Sequence, residues 1–446
     1  MTEQPSRGIP GTHLHIIAHY HPWYRELFPS GMPSGNENIA LERLPLLTAR
    51  RLKPYHLNQT FGAGDELSRY YTSGTSSGQR KEIRYSWQDD EQYVRSKRQA
   101  FQKWLGGSLS GGRAMADLGT GHAASTAPAI FMGMGMEGRS IPFTAPIQEH
   151  IRQLADFRPQ LLYTMPSLLE SITGAAPDPS RLGIRKIILV GEIAPPEWQR
   201  NIAARFDLSQ HDILDTYGSI EIGSIAAYDH ELGLYVLAEG VEGECISWSD
   251  LQEMKRPEAR DQTPLPQPDD LSDDMPDDLP ADLPELEHSL ADLADNEGVL
   301  VLTSLMREQF PAIRYVTYDV VRNFTTVEVN GQRRGVFSAI VKRIGSELKH
   351  GEKISLYDIE EVTSRLLKDA ALRVMVEGNR LKIFLKSAEL RRDGRKLALI
   401  QSELRDKIPA IGMMIRNGLL EDIEIIVLEE HEQLPGGAVK GKRIYS

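Results

Sequence analysis

Apolar and polar positions along the chain switch between two rhythms. From Gln88 to Trp104 the large residues Tyr93, Ala100, Phe101 and Trp104 recur at helical spacing. Residues 147–174 predict a helix, a strand at Leu161–Tyr163, and a second helix opened by Met165-Pro166-Ser167. Arg185–Glu192 is a β-branched run ending in Gly-Glu, and His211–Ser219 repeats the pattern with Ile-Leu-Asp-Thr-Tyr-Gly-Ser. Buried strands alternating with helices predict an α/β fold with mostly parallel sheets. Residues 228–248 change to short strands, the pattern of an antiparallel β subdomain.

The rhythm then stops. Asp250–Glu297 holds seven prolines and repeated Asp-Leu-Pro units. With few large apolar residues it cannot offset the entropy of ordering, so an acidic, Pro-rich disordered insert is expected over 250–297. Order resumes at Gly298-Val-Leu-Val-Leu, and Arg314–Val320 predicts a strand carrying Asp319. The last hundred residues alternate helix (357–368), strands (371–376 and 380–385), helix (395–407) and strand (422–428). That order predicts a small, roughly ferredoxin-like α+β domain. The expected division is a large N-terminal domain, 1–342, and a mobile C-terminal domain, 343–446.

Composition narrows the class. The chain has 446 residues, 40% of them apolar and 26% charged, ordinary values for a globular protein with room for a large core. The net charge of −12 is local: residues 265–297 contain twelve Asp/Glu and no Lys or Arg, which leaves the rest neutral. Neither a nucleic-acid face nor a membrane-binding patch is expected. The single cysteine, Cys245, excludes an intramolecular disulfide. The first residues lack an apolar export core and no run reaches membrane-spanning length, so a cytoplasmic location is expected. His15 and His19 lie four apart but have no Cys or acidic partner nearby, so residues 13–21 read as a helix with exposed histidines.

The densest chemistry lies in Tyr70–Lys81. Thr72, Ser73, Thr75, Ser76 and Ser77 surround Gly74 and Gly78, and Arg80-Lys81 closes the stretch. Hydroxyl and backbone N–H donors with little steric cover suit a phosphate. Only three residues separate the glycines and no hydroxyl residue follows Lys81, so this is not a Walker loop.

The loop resembles the Thr-Ser-Gly-Thr-Thr-Gly-x-Pro-Lys loop of the adenylate-forming enzymes, which include acyl- and aryl-CoA ligases and peptide-synthetase adenylation domains. Later segments follow in the family's order: Gly191-Glu192, Asp215-Thr-Tyr217-Gly218-Ser219-Ile-Glu221, Asp319, Arg343 and Pro435-Gly-Gly-Ala-Val-Lys440-Gly-Lys-Arg443. The shortened N-terminal region is similar to that of the phenylacetate–CoA ligase branch. The resemblance implies a substrate and a reaction: a carboxylic acid, aryl or small, reacts with ATP and Mg²⁺ to give acyl-AMP. A thiol, that of CoA or of carrier-protein phosphopantetheine, then takes the acyl group.

The resemblance also implies residue roles. Thr72, Ser73, Gly74, Thr75, Ser76, Gly78 and Lys81 would hold phosphates. Gly191 and Glu192 would wall the adenine pocket, and Tyr217, within Asp215–Ser219, would stack on adenine. Glu221 would bind Mg²⁺, Asp319 the ribose hydroxyls, and Arg343 would support ribose and hinge. Lys440 would bridge carboxylate and α-phosphate. Gly121, His122 and Ala123 stand where the branch places a turn beside the acyl pocket. A carrier protein is an implied partner and a homodimer an implied assembly.

This sequence departs from the family mildly in the loop, where Ser77 and Gln79-Arg80 replace the usual Thr and x-Pro, by one missing residue just after Lys349, and at two further places. Tyr318 replaces the glycine before the ribose aspartate, so a different local turn is expected there. Gly345-Ser346 replaces the acidic hinge residues. The rival readings are an acyl-protein synthetase using Cys245, and a silent homologue that binds partners through the acidic insert.

Overall fold

The computed structural model describes residues 8–28, 31–57, 67–71, 81–118, 121–142, 144–247, 250, 293–343, 355–377, 380–408, 411–412, 415, 421–432, 434–435 and 444–445. The expected acidic insert therefore lies almost wholly outside the described residues.

A nine-stranded sheet forms the centre of the N-terminal part. Five neighbouring strands run parallel in it, in the spatial order Glu137–Ser140, Arg113–Asp117, Leu161–Thr164, Lys186–Val190 and Ile213–Ser219. Their middle members bury nearly every residue, because helices cover both faces. The helix Trp87–Leu105 closes one face. Ser86 and Asp89 form a capping box at its start, and Gly106 ends it at φ +57°, a left-handed turn that favours glycine. From Gly223–Asp229 onward the sheet continues antiparallel through Leu234–Leu237, Gln332–Phe337 and Thr325–Val329.

A second sheet of four antiparallel strands holds Val241–Ile246, Glu297–Ser304, Tyr315–Arg322 and Ala339–Arg343 in that order. Ile246 pairs with Val299, so the chain leaves and re-enters this sheet on adjacent strands. The N-terminal segment lies against the same sheet: Leu47 N donates to Arg314 O at 2.8 Å and Val316 N donates to Leu47 O at 3.1 Å. His15 and His19 are exposed on the helix Gly11–Tyr20, but the expectation of exposed histidines fails at His21, which lies past the helix end, buried against Trp23 and Tyr55.

The C-terminal part has its own sheet, ordered Glu424–Val427, Arg380–Lys386, Ala371–Glu377 and Ile444–Tyr445. Leu356–Leu366 and Arg395–Lys407 pack on it around Ile359, Val374, Ile383, Ile400 and Leu404. Among the described residues, no helix is long and apolar enough to cross a membrane.

Candidate active site

Parallel strands deliver their C-terminal ends to one edge of the large sheet, where ligands of open α/β sheets bind. Gly191 follows Lys186–Val190 at φ +89°, a conformation that strains any residue with a Cβ. Glu192 then turns aside, and its Oε2 accepts from Ser167 N at 2.8 Å in the first turn of Pro166–Ala175. Along Ile213–Ser219, Asp215 points inward and is 4% exposed. It accepts from the Tyr235 hydroxyl and from Gln199 Nε2. Tyr217, two residues on and so on the same face of the strand, is half-buried.

The strand then bends tightly into Gly223–Asp229. A Cβ on Gly218 would sit 2.7 Å from Gly223 O, so only glycine fits there. Three groups fix the turn that carries Glu221. Ile222 N donates to Ser219 Oγ at 3.2 Å, the Tyr85 hydroxyl donates to Ile220 O at 2.8 Å, and Arg307 Nε donates to Glu221 O at 3.0 Å.

Asp319 is the meeting point of two sheets. The Tyr217 hydroxyl, from the large sheet, donates to Asp319 Oδ2. Arg343 pairs with Asp319 across the antiparallel strands, with Nε 3.9 Å from Oδ1. That carboxylate is the main reason the Arg343 guanidinium is pushed above its ordinary range. Lys81 stands at the foot of Glu82–Tyr85. Burial holds its ammonium below the usual lysine range, with Glu221 opposing and Arg343 reinforcing the shift. Lys81, Glu221 and Arg343 therefore lie within one another's electrostatic reach.

Tyr318 holds φ at +62°, the left-handed region that glycine enters most readily. Its hydroxyl accepts from Ala49 N at 3.0 Å, which helps to offset the strain.

On the other side of the Glu221 turn, Gly121 takes φ +121° and opens the helix His122–Gly133. His122 is buried, and its Nε2 donates to Asp90 Oδ1 at 2.9 Å. Its ring stands 4.0, 4.1 and 4.4 Å, centroid to centroid, from Tyr93, Tyr85 and Tyr70. Burial outweighs Asp90 and lowers the imidazole below its ordinary pKa. His122 is thus a neutral, fixed part of an aromatic wall, and Ala123 follows it in the first helical turn.

Two residues beside this wall have no counterpart in the motifs. Arg307 lies 2.5 Å from Asp89 Oδ2 and 3.7 Å above the Tyr85 ring, holding the wall to the Glu221 turn. Lys97 is 1% exposed, on the buried face of Trp87–Leu105. A sequence signal for Lys97 exists: it occupies the Tyr93–Phe101–Leu105 stripe at intervals of four, where a lysine is out of place.

Thr72, Ser73, Gly74, Thr75, Ser76, Gly78, Lys440 and Arg443 lie outside the described residues, as do Gly345 and Ser346. Among the described residues no three His, Cys, Asp or Glu side chains gather as a metal site. Magnesium bound by phosphate oxygens needs only one or two protein carboxylates, and Glu221 beside Lys81 fits that form.

The family described as Fumarate--diaminopropanoate ligase C-terminal domain matches residues 349–429. Over 413 residues the chain is 32% identical to Fumarate--(S)-2,3-diaminopropanoate ligase of Enterobacter agglomerans, covering 92% of each. The fold is shared with 2-hydroxyisobutyryl-CoA ligase in its postadenylation state with 2-HIB-AMP. There the TM-score is 0.66 at 15% identity, over 97% of this chain and 87% of that one. A benzoate CoA ligase from Burkholderia xenovorans LB400 shares it at TM-score 0.50 and 15% identity, over 86% and 68% of the two chains. On a relationship that runs almost end to end, the chain belongs to the same ligase family as the Enterobacter agglomerans enzyme.

Proposed function

We propose that this chain activates a carboxylic acid with ATP and then joins the acyl group to an amine. In the first step a carboxylate oxygen attacks the α-phosphorus, the bond to the β-phosphate breaks, and pyrophosphate leaves. In the second the amine attacks the acyl carbon, AMP leaves, and the nitrogen loses a proton. The observation that carries the reading is the meeting of Tyr217, Asp319 and Arg343 beside Lys81 and Glu221.

Each group has a distinct task. The Asp319 carboxylate would accept from both ribose hydroxyls, with Arg343 beside it. The Tyr217 ring would lie against adenine, walled by Gly191 and Glu192. The Thr72–Gly78 hydroxyls and amides, with Lys81, would hold the β- and γ-phosphates. Glu221 would hold Mg²⁺, whose charge offsets that of the phosphates. Lys440 would sit between the carboxylate and the α-phosphate, where negative charge grows in the transition state.

The amine acceptor is supported by the 32% identity to an enzyme named for joining fumarate to a diamino acid. Transfer to the thiol of CoA or of a carrier-protein phosphopantetheine is the second reading. It is favoured by the fold shared with CoA ligases and by the early Tyr70–Lys81 loop, which resembles that of the phenylacetate–CoA ligase branch. Cys245 is a poor acyl acceptor: burial pushes its thiol up to about 12, far from the thiolate that such a role needs.

Acid-dependent ATP–pyrophosphate exchange tests the first step across a panel of acids. The best acid, ATP and a choice of diamino acids, CoA or phosphopantetheinyl carrier protein then test the second by mass spectrometry. Amide product is the expected outcome. Thioester without amide would select the second reading, and no exchange with any acid would overturn both.

A further inference from the structure

We propose that Lys97 is the specificity-determining cation of the acyl pocket, and that the acid activated here carries a second carboxylate which Lys97 Nζ binds. The inference rests on the reading that the chain adenylates a carboxylic acid.

Lys97 projects from the middle of Trp87–Leu105 to a buried position between two parts of the candidate site. A Cβ on Gly218 would lie 3.9 Å from its Nζ, so the ammonium rests against the backbone one residue beyond Tyr217. On the other side Nζ stands 6.0 Å from the Tyr93 ring centroid and 5.8 Å from that of Phe101, the outer limit of cation–π contact. Tyr93 packs on His122, and the charge of Lys97 reaches that imidazole. The amine is therefore set between the segment expected to hold nucleotide and the one expected to line the acyl pocket.

Its bonding is incomplete. Nζ is buried and makes no hydrogen bond with any described residue. Asp215 supports its charge from a distance, but that carboxylate already accepts from Tyr235 and Gln199. Burial brings the ammonium down to about 8, so it is still mostly protonated at neutral pH. A buried cation with free N–H donors is unfavourable unless something anionic meets it. A monocarboxylic acid has no group to spare, because its one carboxylate must face the α-phosphate. A short dicarboxylic acid has one. Its far carboxylate accepts from Lys97, while Tyr93 and His122 flank the carbon chain between.

A site with a buried donor rejects an analogue that cannot pair with it far more strongly than an apolar pocket rejects a changed methyl group. Exchange is therefore measured with fumarate, its monomethyl ester and crotonate. Wild type is expected to favour fumarate by roughly 100-fold or more in kcat/KM, on the scale of a lost pairing in a buried polar site. Lys97→Met removes the charge and keeps the length. It is expected to raise the fumarate KM by about the same factor while the KM for ATP and the rates with ester and crotonate stay within a few-fold. Lys97→Arg should keep part of the preference.

Should Lys97→Met not fold, the wild-type pH profile gives the same information. The groups facing Nζ are Asp215 on Ile213–Ser219, Tyr93 on its own helix, and His122 on His122–Gly133. Burial moves the histidine below its usual range and the tyrosine above its own, leaving Lys97 to titrate near 8. The fumarate-to-ester ratio of kcat/KM should fall above that pH. A ratio flat from pH 7 to beyond 9, equal losses for all acids in Lys97→Met, or a change confined to ATP would overturn the assignment. Exchange with no acid at all would instead remove the adenylation reading, and this one with it.

Discussion

Arg373 and Glu170, 203 positions apart in the chain, meet at 3.2 Å between the C-terminal sheet and the helix Pro166–Ala175. Both side chains are almost fully enclosed, and the second Glu170 oxygen accepts from Trp198 Nε1 at 2.9 Å. Removing one partner of a buried pair costs about 3–5 kcal/mol, because the other charge stays buried. Arg373→Met should lower the unfolding midpoint strongly. Glu170→Leu combined with Arg373→Met should recover most of the loss, and urea titration of the four proteins measures the coupling. Additive effects would mean that the contact contributes little.

The Asp319 carboxylate should govern nucleotide affinity. Hydrogen bonds to a charged group are worth about 1.5–3 kcal/mol, so Asp319→Ala should raise the KM for ATP by roughly 10- to 100-fold. Tyr217→Phe keeps the ring and loses only the hydroxyl that donates to Asp319, so its effect should be several-fold at most. Exchange kinetics at saturating acid separates the two variants. Equal effects would show that the hydroxyl, not the ring, is what nucleotide binding uses.

Lys440→Ala should cut acyl-AMP formation by roughly two to three orders of magnitude, the scale of losing one positioned charge-stabilising group. ATP affinity should hardly change, since the ribose and adenine contacts are proposed to come from Asp319 and Tyr217. Wild-type adenylation by this variant would show that Pro435–Arg443 plays no part in it.

His21 should make the fold acid-sensitive. Burial, with some help from Arg84 and Arg307, lowers its pKa to about 4 against an ordinary 6.5. Above pH 6.5 both folded and unfolded forms are neutral and the stability is whole. As pH falls from 6.5 towards 4 only the unfolded histidine gains a proton, and up to about 3 kcal/mol is lost. His21→Phe should flatten that part of the stability–pH curve. An unchanged slope would assign the loss to other groups.

The acidic stretch should be dispensable for activation. Its two ends enter neighbouring strands at Ile246 and Val299, so a shorter closure leaves the ladder as it is. Loop-closure entropy varies only slowly with length. Replacing Pro264–Asp295 with a short Gly/Ser linker should leave exchange within a few-fold of wild type. A large loss in a folded variant would mean that the stretch reaches the site.

Much of this architecture is legible in the sequence alone. The periodicity from Gln88 to Trp104 marks the helix Trp87–Leu105 to within a residue, and apolar runs ending in Gly-Glu or Tyr-Gly-Ser mark the parallel strands. Tyr217, Asp319 and Arg343 come together as the motif order implies, because each sits at the end or crossing of a strand. What escaped reading depends on burial and pairing across long separations. Arg307 looks like a surface charge until the Tyr85 ring encloses it, and Lys97 shows only as a lysine out of place on an apolar stripe. Asp215 shares both the motif and the strand face of Tyr217, but it lies deeper, where Tyr235 and Gln199 enclose it. Tyr318 breaks the usual preference for glycine at a left-handed position, and no local rule foretells the distant Ala49 amide that holds it.

That tyrosine changes how the start of the chain should be regarded. Its backbone neighbours Asp319, while its hydroxyl is tied to the segment that follows Leu47, itself bonded to Arg314 and Val316. Residues 44–49 thus splint the strand that carries Asp319, the carboxylate proposed to meet ribose. A truncation that trims this segment as a dispensable leader would unbrace Asp319, some 270 residues away.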